Sequence, residues 1–329
     1  MRYRTLGRTD VEVSVVAMGC WPIVGDSTWG PQDEADSIET IKSAVDAGIT
    51  FFDTAEMYGD GYSEELLGRA LADCRDEVVI GSKAIPDHLE PAKLREACEG
   101  SLRRLDTDYI DLYQLHWPNA DVPIEDSLQT LEELKEEGKI RVAGVSNFGQ
   151  RDLGELLEKG RVEVNQLPYN MLFRAIEFGL QGTCAEQDIS ILPYCPLAQA
   201  LLTGKFSDPD EVPVGRARTR HFSPDRPRSR HDEPGYEEQT FEAVRRVREI
   251  CKEIGQPMAK VALAWLLEQP AVTSVLAGAR TPEQVAMNAA GGDLDLSDDV
   301  VERLNQATED LKQAMGPNVD MWETESRIH

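Results

Sequence analysis

The chain has 329 residues, of which 41% are hydrophobic, and a mean hydropathy of -0.41, enough to bury a substantial core in one large domain or two ordinary ones. Its 60 acidic and 34 basic residues give a net charge of -26 and a pI near 4.6, a field that repels nucleic acid and anionic membranes. No apolar run approaches the ~20 residues of a membrane span, and the opening "MRYRTLGRTDVEVSVVAMG" lacks the apolar centre of a secretion signal, so a cytoplasmic protein is expected. The bases are 24 Arg and only 10 Lys, and this acid-rich, lysine-poor composition points to a cytoplasm of high ionic strength and a halophilic origin. The six cysteines (20, 74, 98, 184, 195, 251) form no C-x-x-C pair and read as reduced thiols.

In chain order, residues 2–14, "RYRTLGRTDVEVS", read as a two-strand hairpin turning at "GRTD" and plugging a barrel floor. Short apolar runs then alternate with amphipathic stretches. "SVVAMGCW" precedes "DEADSIETIKSAVDAG", "TFFDTAE" precedes "SEELLGRALADC", and "EVVIGSKA" precedes "PAKLREACEGSLRRLD". "YIDLYQLHW" precedes "IEDSLQTLEELKEEGK", "RVAGVSNF" precedes "RDLGELLEKG", and "VEVNQLPY" precedes "LQGTCAEQD". "ISILPYCPL" comes before a long connection and a helix at "QTFEAVRRVREICKEIG", and "VTSVLAGA" precedes "TPEQVAMNAA". Apolar runs suit strands buried on both faces and the intervening stretches have helical period. Eight such units predict an α/β fold, a closed (β/α)8 TIM barrel over residues 1–329 as a single domain. Residues 206–236, proline-spotted and Arg-rich, form a long loop on the active-site side, and 311–329 form a C-terminal tail.

Several chemistries lack their motifs. No G-x-G-x-x-G follows a strand; "GDGYSE" lacks the third Gly, and "LTGKF" lacks the upstream Gly of a phosphate loop. There is no G-x-S-x-G or H-E-x-x-H, and the scattered histidines (88, 116, 221, 231, 329) predict no metal site.

In a barrel, chemistry sits where strands end. Asp53 ends strand two with Tyr58 in its loop, Lys83 ends strand three, and His116 strand four. Ser146 and Asn147 end strand five, Gln166 strand six, and Tyr194 strand seven. Singly, each has a bland reading as a cap, a solvated Lys, a structural His or a packed aromatic. Together four of them make a unit. Tyr58 is a general acid, a buried Lys83 favours its phenolate, Asp53 balances the lysine, and His116 donates to a carbonyl oxygen. That outfit suits carbonyl reduction by hydride.

With "FFDTAEMYGDGYSEELLGRAL", "GSK", "DYIDLYQLHWP", "GVSNF", "NQLPYN", "YCPLAQALLTGKF" and "AGARTPEQVAMNA", the chain resembles the aldo-keto reductases over almost its whole length. The resemblance implies reversible, NADPH-dependent reduction of an aldehyde, ketone or sugar-like carbonyl, with NADH possible. Its catalytic tetrad falls on Asp53, Tyr58, Lys83 and His116, with Tyr58 the proton donor. Ser146, Asn147 and Gln166 match the nicotinamide carboxamide contacts, and Tyr194 the ring on which nicotinamide stacks. Leu197, Leu202 and Lys205 match the pyrophosphate loop, and Gly278, Arg280, Gln284 and Asn288 the adenosine end. Arg280 offers a planar fork to a 2′-phosphate.

Two positions depart from the family pattern. Met287 stands where a Glu is usual before Asn288, and Cys195 where a Ser is usual. Cys195 reads as an oxidation-sensitive thiol or as a Ser-sized filler. Trp21, Trp29 and Trp117 are candidates for the substrate opening or for core packing. The run Arg216, Arg218, Arg220, Arg226, Arg228, Arg230 orders over the cofactor, makes subunit contacts, or is a solvated loop. Two rival functions stay open: a cofactor-binding regulatory subunit like the potassium-channel β-subunits, and a barrel aldolase with Lys83 as Schiff base.

Overall fold

The computed structural model describes residues 1–26 and 28–329. A hairpin of β1 (Tyr3–Thr5) and β2 (Glu12–Ser14) leads into eight parallel strands: β3 (Val16–Gly19), β4 (Phe51–Asp53), β5 (Val79–Ala84), β6 (Ile110–Leu115), β7 (Ile140–Ser146), β8 (Val164–Pro168), β9 (Ser190–Tyr194) and β10 (Val275–Gly278). They pair in the order β10-β3-β4-β5-β6-β7-β8-β9. The gap between β9 and β10 is closed by a parallel bridge of Ile191 with Val272, where Ile191 N–H donates to Ala271 O and Thr273 N–H to Ile191 O. The expected (β/α)8 barrel is present.

Strand parity explains both the core and the site. Side chains alternate across a strand with period two. One set, Ala17, Phe51, Val79, Leu112, Val142, Val164, Leu192 and Leu276, forms a cluster inside the barrel's lower half, completed by Leu6, Val11 and Val13 of the hairpin. The hairpin thus seals the floor. The other set, including Val16, Met18, Phe52, Ile80 and Tyr113, joins the core shared with the helices. Two apolar environments on opposite faces are why the strands read as unbroken apolar runs.

The helices are α1 (Glu34–Asp46), α2 (Tyr62–Leu71), α3 (Pro91–Leu105), α4 (Ile124–Glu136), α5 (Gln150–Lys159), α6 (Leu180–Glu186), α7 (Glu237–Glu253), α8 (Met258–Leu267), α9 (Pro282–Gly292) and α10 (Asp298–Met315). Two of them escape the pattern of one helix per strand. In α8, "MAKVALAWLL", all but Lys260 are buried, so it shows no amphipathic period to read. Helix α10 starts at the Ser297 cap, whose hydroxyl accepts from Val300 N–H, and runs to Met315, past the position where the tail was expected to begin.

The long loop is not the solvated segment that was one of its readings. Ala217, Thr219, Arg220, His221 and Phe222 are buried. Arg220 donates to the carbonyls of Met315, Asn318 and Asp320 and pairs with Glu233 at 2.9 Å, fastening the loop to the C-terminal tail. His221, also buried, places Nε2 3.0 Å from Leu172 O and Nδ1 3.0 Å from Thr219 Oγ1.

Burial lowers the His221 pKa to about 4, whereas in the unfolded chain it titrates near ~6.5. Below the unfolded value the unfolded chain binds a proton that the folded chain refuses. Stability therefore falls as pH drops from about 6.5 to 4, by roughly 3 kcal/mol from this residue alone. Denaturant melts at pH 7 and pH 4.5 check this: His221→Asn should flatten the pH dependence, and an unchanged slope would contradict it.

Candidate active site

The same parity carries polar residues to the upper end of the barrel interior. Two residues beyond Phe51 is Asp53, and four beyond Val79 is Lys83. From Leu112 the alternation reaches Gln114 and then His116. Ser146 lies four beyond Val142, Gln166 two beyond Val164, Tyr194 two beyond Leu192, and Gly278 two beyond Leu276. Seven strand ends thus aim at one mouth. Room for these side chains comes from small residues in the layer below. A methyl on Gly144 would lie 3.0 Å from Leu112 Cδ1 and 3.1 Å from Gln114 Cγ.

Lys83, wholly buried, donates to Asp53 Oδ1 and to Thr54 O, both at 2.7 Å. The other carboxylate oxygen, Oδ2, accepts from Gln166 Nε2 at 2.8 Å and from Gln114 Nε2 at 3.5 Å. An ammonium with two acceptors and a carboxylate with three donors satisfy the demand that buried charges be paired and hydrogen-bonded. Gln114 is a member of this network that strand-end reasoning missed. It sits inside its strand, and the parity linking it to His116 was the available signal.

Tyr58 is carried above this pair by the β4–α2 loop. Gly59, Asp60 and Gly61 all adopt left-handed φ (63°, 58° and 89°), and a Cβ at Gly61 would meet Arg104 Cδ at 2.4 Å. This turn starts α2 and leaves the ring with its centroid 5.1 Å from Lys83 Nζ and 6.1 Å from the His116 ring. Trp21 stacks on Tyr58 at 6.1 Å, and Trp29 meets Trp21 edge-on at 5.6 Å. Trp117 lies under the Arg327 guanidinium at 4.2 Å.

The titration of Tyr58 corrects one expectation. Burial, then the charge of Asp53, raises its pKa well above the ordinary phenol range, so the resting phenol is protonated and the nearby Lys83 ammonium does not outweigh them. His116 is pushed well below the usual imidazole range by burial and by Lys83, so it is neutral, and its Nδ1 is buried with no partner.

The residues matched to a nicotinamide carboxamide are brought together. Asn147, at φ 63°, donates to His116 O and Ser146 Oγ, both at 3.0 Å, and accepts from Tyr194 OH at 2.7 Å. Ser146 Oγ donates to Gln166 O at 3.1 Å. The Tyr194 ring is stacked by Trp322 of the tail, 5.9 Å away and 11° from parallel, a neighbour that sequence reasoning did not find. Beyond β9 the backbone turns left-handed at Cys195, Ala198, Gln199 and Ala200, a strained run that non-glycine residues adopt only when their surroundings hold them there. Leu202 is buried in the core, Leu197 is half-buried, and Lys205 is exposed. The Cys195 thiol, pushed up to about 12 by burial, is held protonated, which supports the filler reading over a reactive thiol.

At the far end, Gly278 is required because a Cβ there would lie 2.8 Å from Pro22 Cγ. Asn288 Nδ2 donates to Gly278 O at 3.2 Å and Gln284 Oε1 accepts from Arg280 N–H at 2.9 Å, so both shape the turn itself. The Arg280 guanidinium donates to Trp29 O at 2.6 Å, to Gln32 Oε1 at 2.8 Å and to Pro31 O, tying the 29–32 segment across this end. Met287 is exposed. No group of three or more potential metal ligands occurs among the described residues.

A paired lysine and aspartate thus lie beneath a protonated tyrosine, beside a neutral histidine. Residues 16–309 match the model of the aldo/keto reductase family. The chain belongs to the aldo/keto reductase family. It is accordingly an oxidoreductase. It is 36% identical to the aldo-keto reductase YhdN of Bacillus subtilis over 87% of each chain. It is 33% identical to the NADH-specific methylglyoxal reductase of Escherichia coli, over 95% of this chain and all of that one. Among solved structures, an aldo-keto reductase from Klebsiella pneumoniae in complex with NADPH superposes with a TM-score of 0.74 at 30% identity, covering 93% of this chain and 95% of that one.

Proposed function

We propose that the protein reduces the carbonyl of a small aldehyde or ketone to the alcohol, reversibly, with Tyr58 as proton donor. The observation that carries this reading is the protonated Tyr58 ring above the buried Lys83–Asp53 pair, with no hydrogen bond from its hydroxyl to any described residue. A reduced nicotinamide cofactor, when bound, supplies the hydride. This chain's side chains do the rest. Neutral His116 offers a ring N–H to the carbonyl oxygen, and its partnerless Nδ1 shows that its polar capacity is not met from within. As charge grows on that oxygen, Tyr58 gives up its proton, and the Lys83 ammonium close by stabilises the phenolate left behind.

The cofactor's holders would be Ser146, Asn147 and Gln166 at the carboxamide, Tyr194 beside the ring, the strained loop after β9 at the pyrophosphate, and Arg280 at the adenosine end. The left-handed run and the orphaned Gln199 Oε1 support a loop built to meet a ligand. The geometry speaks against a Schiff-base lysine. A lysine wholly buried and bonded to Asp53 and Thr54 O lacks the access that attack on a carbonyl needs.

The choice between NADPH and NADH rests on Arg280. To bind a 2′-phosphate the guanidinium must turn part of its fork from the 29–32 carbonyls. Since the phosphate is the only difference between the two cofactors, Arg280→Ala should weaken NADPH about tenfold or more while NADH, which reports any loosening of the 29–32 segment, loses much less. Fluorescence titration of both cofactors checks it, and equal losses would undo the assignment. Turnover tests the whole reading. Oxidation of NADPH or NADH by methylglyoxal and simple aldehydes is expected, and tight cofactor binding without turnover of any carbonyl would favour a regulatory subunit.

A further inference from the structure

Arg218 occupies a place that the proton-donating site does not use. Two residues before it, Arg216 lies over the Trp29 ring at 5.6 Å, at the outer end of the Trp29–Trp21–Tyr58 ladder. Two residues after it, Arg220 N–H donates to Met321 O at 3.0 Å, next to the Trp322 that stacks on Tyr194. The segment 216–220 therefore crosses from the catalytic tyrosine's aromatic wall to the Tyr194 wall, with Arg218 at its midpoint.

Its guanidinium is poorly provided for. Arg218 Nε is buried with no hydrogen-bond partner, and no carboxylate pairs with it among the described residues. In the same loop Arg220, Arg226 and Arg230 have acidic partners and Arg216 packs on the Trp29 ring, whereas Arg218 keeps a buried Nε that nothing accepts from. Asp26, the carboxylate whose charge it feels, accepts instead from Trp21 Nε1 at 2.8 Å and from the N–H groups of Thr28 and Trp29. Arg228 and Arg230 add positive charge around it, and its own charge is felt at Cys195, next to Tyr194. A buried donor left unmet is costly and calls for a partner that the protein itself does not supply.

We infer that Arg218 is a substrate-recognition residue, and that the carbonyl substrate carries an anionic oxygen group, a carboxylate or a phosphate, which pairs with this guanidinium at the mouth. The inference rests on the carbonyl-reduction reading. It also answers an electrostatic problem, because a protein of charge -26 repels anions unless a local positive potential draws them in.

Matched pairs of aldehydes test it: 4-oxobutanoate against butanal for the carboxylate, and glyceraldehyde 3-phosphate against glyceraldehyde for the phosphate. At low salt the anionic member of at least one pair should have the higher kcat/KM by about tenfold or more. The pair with the larger preference names the group. Arg218→Gln should collapse that ratio and Arg218→Lys should keep part of it, whereas a merely structural role would lower both members alike. In the unaltered enzyme the ratio should shrink as KCl is raised, a readout independent of any variant. Turnover of the neutral aldehydes with no anionic preference in either pair would overturn this inference alone, as would a ratio unmoved by Arg218→Gln. Failure to reduce any aldehyde would overturn the underlying reading and this one with it.

Discussion

Tyr58→Phe should lower carbonyl reduction by about 10²–10⁴-fold, the range of a lost general acid, while cofactor affinity stays near that of the unaltered protein. The ring remains, so its stacking against Trp21 and its contact with Lys83 are kept, and only the proton is lost. The pH dependence gives a second signature. Because burial and Asp53 raise the phenol's pKa, reduction should hold level from pH 6 to 9 in the unaltered enzyme and fall only at higher pH. Alcohol oxidation, which needs the phenolate, should rise over the same window. His116 is neutral well below its usual range, so no limb near pH 6.5 is expected from it. Steady-state rates in both directions across pH 5–10 check these points, and undiminished reduction by the Phe variant would remove Tyr58 from its role.

Lys83→Met is expected to have the other large effect, on folding as well as on rate. It leaves Asp53, 3% exposed, with an uncompensated charge in the barrel interior, where only Gln114 and Gln166 still donate to it. Breaking one side of a buried pair costs about 3–5 kcal/mol. The double variant Lys83→Met with Asp53→Leu should recover much of that stability and none of the activity. Denaturant melts of the three proteins separate the two effects. Equal stability of the single variant and the parent would mean that the pair is not buried as described.

The parts of the site legible in the sequence were those governed by local periodicity. Apolar runs of strand length give the barrel, and the polar residue closing each run falls at its mouth, as Asp53, Lys83, His116, Ser146, Gln166 and Tyr194 do. Gln114 was missed because it lies within its strand and is polar only on the interior face. Trp322 was missed, and Arg218 was read only as one of a run of arginines, for a different reason. Each reaches the site by long-range packing, the tail against Tyr194 and the loop fastened to the tail through Arg220, and neither has a local pattern that announces its partner. Helix α8 was missed because it is buried all round. The sign of the Tyr58 shift was misjudged since a sequence shows that Lys83 is near but not how completely the ring is desolvated, and desolvation prevails.

The most direct test of the central claim is the fate of the reduced cofactor's C4 hydrogen. The enzyme is given NADPH carrying deuterium at C4 on one face, then the other, together with methylglyoxal or 4-oxobutanoate, and the product is analysed by mass spectrometry and NMR. Deuterium should appear on the former carbonyl carbon from one face only, one alcohol forming per cofactor oxidised, and the Tyr58→Phe variant should form that product at a small fraction of the rate. Cofactor that binds but never passes its deuterium to a carbonyl carbon would contradict the account.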